Sequence, residues 1–125
     1  MGCDTRIKSY FNYWGKASPS TNDQTAKYHL LPYHSLDVAA VGQVLLSRQL
    51  ALKSHLSELM GLSDQQTLNW ITFLLGLHDL GKFAESFQQL RPDLRELFWP
   101  EAPVKKTNYS IRHDTLGHML WRECL

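Results

Sequence analysis

The apolar positions of the chain recur at helical spacing over most of its length, and no segment alternates with the two-residue period of a strand. A first long helix is predicted to follow Pro32, with His34 at its start, and to run to about residue 59, with Gly61 as the residue that ends it. A second helix follows directly, because Ser63 and Gln66 have the spacing of a capping box. The pattern therefore predicts an all-α fold.

The second helix is apolar around its whole circumference from Leu68 to about Leu80, which is typical of a central, buried helix. It ends in the pair His78-Asp79. Burying an imidazole and a carboxylate costs free energy unless each has a partner. A metal ion would suit both, because both groups are ordinary metal ligands. The alternative interpretation is a hydrogen-bonded core histidine beside an aspartate that caps the helix end.

The remaining predicted elements are shorter. Residues 1–33 are expected to be irregular, with aromatic side chains such as Trp14 packing over the core. Three further helices are predicted at residues 83–90, 92–99 and about 111–124. The last one carries His113 on its apolar side, and Gly117 one turn later leaves room for a close backbone contact. His113 is therefore predicted to point into the core.

Composition indicates an ordinary globular protein with a single domain over residues 1–125. The chain is 43% hydrophobic and 20% charged, with a formal net charge of +1 that gives no general attraction to nucleic acid. Cys3 and Cys124 form no CxxC pair, which argues against a thiolate zinc site and for a reducing compartment. No apolar run reaches the length of a membrane span, and no signal pattern is present. We therefore expect a cytoplasmic protein without a membrane partner.

Several motifs occur in an order that resembles a known family. His34, the segment His78-Asp79-Leu80-Gly81-Lys82, and His113 with Gly117 resemble the HD superfamily of metal-dependent phosphohydrolases. The opening Tyr13-Trp14-Gly15-Lys16 is similar to the HD nuclease domain of the CRISPR-associated helicase–nuclease of type I systems. The resemblance implies an HD-type helical bundle.

The resemblance also implies a site and a reaction. His34, His78 and Asp79 would hold one divalent transition metal, and Asp79 with His113 would begin a second site. The metal would be iron, manganese, nickel or cobalt, among which these donors do not discriminate. Asp79 and Lys82 would be catalytic, with Lys82 facing the substrate phosphate; a surface lysine is the alternative. These four metal ligands are expected to converge on one pocket.

The implied reaction is cleavage of single-stranded DNA in antiviral defence. The implied partners are a helicase portion and the CRISPR surveillance complex. The sequence contains no adjacent histidine pair and no late aspartate at the family position, since its late acidic residues are Asp114 and Glu123. We therefore expect a truncated HD domain with about half of the metal site and low activity by itself.

Two further expectations concern assembly and alternative functions. A helical domain cut partway exposes apolar surface, which predicts a homodimer through that face. One alternative function is a non-catalytic HD fragment that self-associates. The other is an HD phosphohydrolase that acts on small nucleotides, against which the Tyr13-Trp14-Gly15-Lys16 start argues.

Overall fold

A computed structural model describes residues 5–19 and 28–124, and it divides the chain into two compact units. The first unit contains the described residues up to His34 and from Asp79 onward, and the second is Ser35–His78. The elements are a 3-10 helix (Thr5–Asn12), β1 (Trp14–Ala17), β2 (Tyr28–Leu30), α1 (Leu31–Arg48), α2 (Leu50–Met60), α3 (Asp64–Leu77), a 3-10 helix (Leu80–Phe83), α4 (Glu85–Gln88), α5 (Pro92–Phe98) and α6 (His113–Cys124). The described part of the chain is mainly helical, which confirms the predicted fold class.

The second unit is built from helices whose ends follow local sequence signals. The predicted first long helix is interrupted at Gln49, which separates α1 from α2. Gly61 ends α2 with φ of 65°, a left-handed conformation that glycine adopts without a steric penalty. The side chain of Ser63 accepts from the backbone N–H of Gln66, and the capping box forms as predicted. None of the described helices is long and apolar enough to cross a membrane.

Helix α3 is less buried than its composition predicts. Trp70, Phe73 and Leu74 are 48%, 49% and 45% exposed, so the expectation of a fully buried central helix was wrong. Within the second unit α3 packs against α1 and α2, which cover only part of its circumference. The helix also ends at Leu77 rather than near Leu80, because the chain tightens into a turn and then into the 3-10 helix.

The first unit contains an element that the sequence did not predict. Strands β1 and β2 pair antiparallel, with Trp14 opposite Leu30. They are four and three residues long, which is too short for an alternating pattern to be recognised. Trp14 was expected to cover the core from outside, but it lies inside the core, where it is 6% exposed and forms a cluster with Phe87 and Leu94.

Candidate metal centre

A buried carboxylate, that of Asp79, lies at the centre of the first unit's candidate site. Asp79 is 4% exposed and directly precedes the 3-10 helix Leu80–Phe83. Its Oδ2 lies 3.0 Å from Nε2 of His34, and its Oδ1 lies 3.4 Å from Nε2 of His113. Nζ of Lys82 lies 2.7 Å from Oδ2. The structure therefore brings three of the predicted site residues onto the two oxygens of one carboxylate.

His34 reaches the carboxylate because β1 packs tightly against the start of α1. A Cβ at Gly15 would lie 2.9 Å from Cα of Leu31 and 3.3 Å from Cβ of His34, so a side chain there would push the two segments apart. The backbone N–H of Leu31 also donates to the carbonyl oxygen of Tyr13 at 2.8 Å. These contacts assign a physical role to the glycine of the Tyr-Trp-Gly-Lys segment.

His113 reaches the carboxylate because α6 packs against the 3-10 helix through two glycines. A Cβ at Gly81 would overlap the carbonyl oxygen of His113 and would lie 2.7 Å from the backbone nitrogen of Gly117. The close backbone contact predicted at Gly117 is present, and the structure identifies Gly81 as its partner. His113 is the first residue of α6, so this contact sets its distance from Asp79.

Lys82 is not a surface lysine, because its side chain is only 12% exposed. Besides its ion pair with Asp79, its ammonium donates to the carbonyl oxygen of Gly15 at 2.9 Å and lies 5.5 Å from the ring centroid of Phe87. Burial of the Asp79 carboxylate is thereby balanced by a cation. A contact between Lys82 and a substrate phosphate stays a prediction.

Gln88 fixes the segment that carries Lys82 to β1. Its side chain is 1% exposed, and its Nε2 donates to the carbonyl oxygens of Trp14 at 3.0 Å and of Lys82 at 2.8 Å. Its Oε1 accepts from the backbone N–H of Trp14, and the indole N–H of Trp14 donates to the carbonyl oxygen of Gln88, both at 3.2 Å. Because both the oxygen and the nitrogen of this buried amide are hydrogen-bonded, the Gln88 side chain holds β1 and the segment that carries Lys82 in one arrangement.

His78 is the last residue of the second unit and is joined to Asp79 by a peptide bond. It is exposed, and its Nδ1 lies 2.6 Å from the carbonyl oxygen of Leu75. Because a carbonyl oxygen only accepts, Nδ1 carries the proton and donates it, and Nε2 is the basic nitrogen of the ring. This is the tautomer that a ligand bonding through Nε2 requires.

Two residues near the site were not identified from the sequence. His29 lies in β2 with its ring 6.3 Å from the ring of His34. Tyr109 was overlooked, although its hydroxyl lies 2.8 Å from Nδ1 of His113. No sequence motif marks a tyrosine four positions before a histidine as its neighbour, so the signal is visible only in the fold.

The donors of the first unit are of the types that bind divalent transition metals. Ligand atoms bound at about 2.1 Å lie about 3.0 Å apart in an octahedral site and about 3.4 Å apart in a tetrahedral one. The 3.0 Å separation of His34 from Oδ2 and the 3.4 Å separation of His113 from Oδ1 fall in this range, as the distances of direct contacts between these groups also do, and each oxygen has one imidazole beside it. The Lys82 ammonium contacts Oδ2, so a metal bound at that oxygen would compete with it.

Comparison with known proteins agrees with the geometry. A family model described as Cas3, HD domain, matches residues 14–125, which include all five candidate residues. The CRISPR-associated endonuclease/helicase Cas3 of Escherichia coli (strain K12) is 36% identical over 112 residues, covering 82% of this chain and 12% of that protein. The chain thus spans about one eighth of the length of that relative. No solved structure matches the chain at a significant level. The chain belongs to the Cas3 HD domain family.

Proposed function

We propose that this chain is a metal-dependent phosphodiesterase domain that cleaves single-stranded DNA in CRISPR defence. The observation that carries the proposal is the buried carboxylate of Asp79, which has an imidazole nitrogen near each of its two oxygens. The matched relative is named an endonuclease/helicase, which supports a nucleic-acid substrate. By the same likeness we propose a helicase portion and a CRISPR surveillance complex as partners.

The proposed ligands are His34, His78, Asp79 and His113. A divalent transition metal held by these residues would lower the pKa of a water molecule and would neutralise charge on the phosphoryl oxygens. Iron, manganese, nickel and cobalt all accept imidazole and carboxylate donors. Asp79 orients the two imidazoles of the first unit through its separate oxygens. His78 presents Nε2 because the carbonyl oxygen of Leu75 keeps the proton on Nδ1.

Lys82 is proposed to have two tasks. In the metal-free protein its ammonium balances the Asp79 carboxylate at 2.7 Å. With a substrate present, a phosphate group bound at the metal ligands would lie near the Lys82 ammonium, because this ammonium contacts the ligand Asp79. The ammonium would then attract a phosphate oxygen, since lysine binds phosphate as a point charge. The carbonyl oxygen of Gly15, at 2.9 Å, holds the ammonium on this side of the site.

Metal binding is the first test. Manganese, nickel, cobalt or ferrous iron is expected to raise the melting temperature, because a ligand that binds only the folded state stabilises it. Asp79→Asn keeps the side-chain shape and should abolish the shift. Asp64→Asn is the matched control, because Asp64 is exposed in the second unit. Absence of a shift in the parent with all four metals would reject the proposal.

Cleavage of circular single-stranded DNA is the second test. We expect little cleavage by the 125-residue chain, because its sequence contains no adjacent histidine pair to complete a second metal site. Loss of a single supporting partner already costs about 10–100-fold in affinity or activity. A protein extended to full family length should cleave the same DNA. Cleavage that persists unchanged in Asp79→Asn would show that another site is responsible.

The absent histidine pair also favours one alternative, a non-catalytic HD fragment. It predicts that the 125-residue chain leaves DNA intact with every metal, whereas weak cleavage that is lost in Asp79→Asn supports the proposed nuclease. The match to the Cas3 HD family over residues 14–125 argues against a hydrolase of small nucleotides.

A further inference from the structure

Tyr109 contributes a hydroxyl to the candidate metal centre from outside the regular elements. Its Oη accepts a hydrogen bond from the backbone N–H of His113 at 2.9 Å and lies 2.8 Å from the ring nitrogen Nδ1 of the same residue. Its ring packs against the cluster of Trp14, Phe87 and Leu94, with the Phe87 ring 6.0 Å away in an edge arrangement. The packed ring therefore holds the hydroxyl at one place beside His113.

The surroundings of His113 select one tautomer when no metal is bound. The second ring nitrogen, Nε2, lies 3.4 Å from Oδ1 of Asp79, and a carboxylate oxygen can only accept. A neutral imidazole has one N–H, so the favourable arrangement places that proton on Nε2. Nδ1 is then an acceptor, and the Tyr109 hydroxyl donates to it while accepting from the backbone N–H of His113. In this arrangement the hydroxyl both donates to the ring and accepts from the backbone of the same residue.

A metal bound through Nε2 requires the other tautomer. Nε2 must then offer its lone pair, and the ring proton must reside on Nδ1. A hydroxyl oxygen accepts as well as donates, so Tyr109 can receive the Nδ1–H without any movement of its ring. The imidazole carries one proton in both forms, so exchange through water changes its position and not the number of protons on the ring. His78 differs, because the carbonyl oxygen of Leu75 permits only Nδ1–H.

We propose that Tyr109 is a positioning residue of the metal centre. Its hydroxyl holds the ring of His113 in place and accommodates both tautomers, Nε2–H in the metal-free protein and Nδ1–H when Nε2 binds metal. The inference rests on the metal-dependent function proposed above and assigns one further residue to that site.

Tyr109→Phe tests the proposal, because it keeps the packed ring and removes only the hydroxyl. We expect its affinity for manganese, measured by calorimetric titration, to fall about 10–100-fold, as when a partner of a ligating histidine is lost. Tyr28→Phe is the matched control, since the Tyr28 ring is 41% exposed and packs edge-on against Phe98. The control should bind manganese as the parent does.

The tautomer of His113 gives a readout that a purely structural role would not change. Nitrogen-15 spectra at about pH 8.5, where ordinary imidazoles are neutral, should show Nε2–H in the metal-free parent and Nδ1–H after zinc is added as a diamagnetic probe. The His113 signals are assigned by their loss in His113→Gln. In Tyr109→Phe the metal-free ring should lose the single-tautomer signature, because nothing then donates to Nδ1.

The outcomes separate this proposal from the proposed function. The proposed role of Tyr109 would be overturned if folded Tyr109→Phe bound manganese as tightly as the parent does. It would also be overturned if the metal-free parent carried the His113 ring proton on Nδ1. If the parent binds no metal, the proposed function fails, and the metal-free spectra still decide whether Tyr109 holds His113. If Tyr109→Phe does not fold, the parent spectra with and without zinc decide the question.

Discussion

At the scale of residues, the contacts of Asp79 change what its removal is expected to do. From the sequence, its neighbours are imidazoles, and Asp79→Ala is expected to leave the metal-free fold nearly unharmed. In the structure its carboxylate pairs with the Lys82 ammonium at 2.7 Å, and the two side chains are 6% and 12% exposed. Removing one member of a buried pair leaves an uncompensated charge in a poorly solvated place. We therefore expect the metal-free fold to lose stability when Asp79 is removed.

We predict that Asp79→Ala lowers the free energy of unfolding of the metal-free protein by about 3–5 kcal/mol, as for other broken buried pairs. Its value should lie near the lower end, since Lys82 keeps the carbonyl oxygen of Gly15 as a partner. Denaturant unfolding measures the change. Asp64→Ala is the control, because the Asp64 carboxylate is half exposed and lies 3.9 Å from the Lys53 ammonium. Its loss should lower the free energy of unfolding by less than about 1 kcal/mol. Equal losses in the two variants would show that Lys82 becomes solvated once the carboxylate is removed.

At the scale of elements, the position of α6 depends on two glycines that face each other. Gly81 in the 3-10 helix and Gly117 in α6 allow backbone to approach backbone, which places His113 beside Asp79. A methyl group at position 81 would meet the carbonyl carbon of His113 at 2.8 Å. Backbone atoms cannot move aside as a flexible side chain can, so α6 itself would have to shift.

We predict that Gly81→Ala destabilises the protein by about 1–3 kcal/mol or more through overpacking and also weakens manganese binding. Gly76→Ala is the matched control, because its new Cβ would lie 3.9 Å from Cβ of Ala39, an ordinary contact. In the last turn of α3 that change should be neutral or stabilising by less than about 1 kcal/mol. Unfolding and calorimetric titration measure both effects. Unchanged manganese affinity in folded Gly81→Ala would show that His113 does not depend on this contact.

At the scale of the whole molecule, apolar surface remains uncovered on the second unit. On α1, Val41, Val44 and Leu45 are 69%, 51% and 52% exposed, and on α3 three large apolar side chains are about half exposed. Contiguous apolar surface of this kind marks an interaction site or an aggregation-prone face. The homodimer expected from the sequence stays a prediction, and α1 now indicates where its contact would lie.

We predict that the chain self-associates through this face and that Val41→Glu weakens the association, because a charge would have to be desolvated in the interface. Sedimentation velocity over a range of protein concentrations measures the effect. Leu97→Glu is the control, since Leu97 is 60% exposed in α5 of the first unit. A parent that stays monomeric at all concentrations would contradict the prediction.

The sequence by itself determined the features that depend on a few neighbouring residues. The mainly helical character, the capping box of Ser63 and Gln66, the glycine C-cap at Gly61 and the helix start at Pro92 appear as predicted. These features need only contacts within one or two helical turns, so local spacing identifies them. The candidate metal ligands came from the order of motifs, and their role as ligands stays a prediction.

Only the tertiary structure decided the contacts between residues distant in sequence. The Lys82 ammonium bonds to Gly15, 67 positions away, and the backbone of Gly81 lies against that of Gly117. The partial exposure of α3 was also decided at this level, because burial depends on which elements pack against a helix and not on its own pattern. Helical spacing indicates which side chains share a face, and only packing determines what lies opposite them.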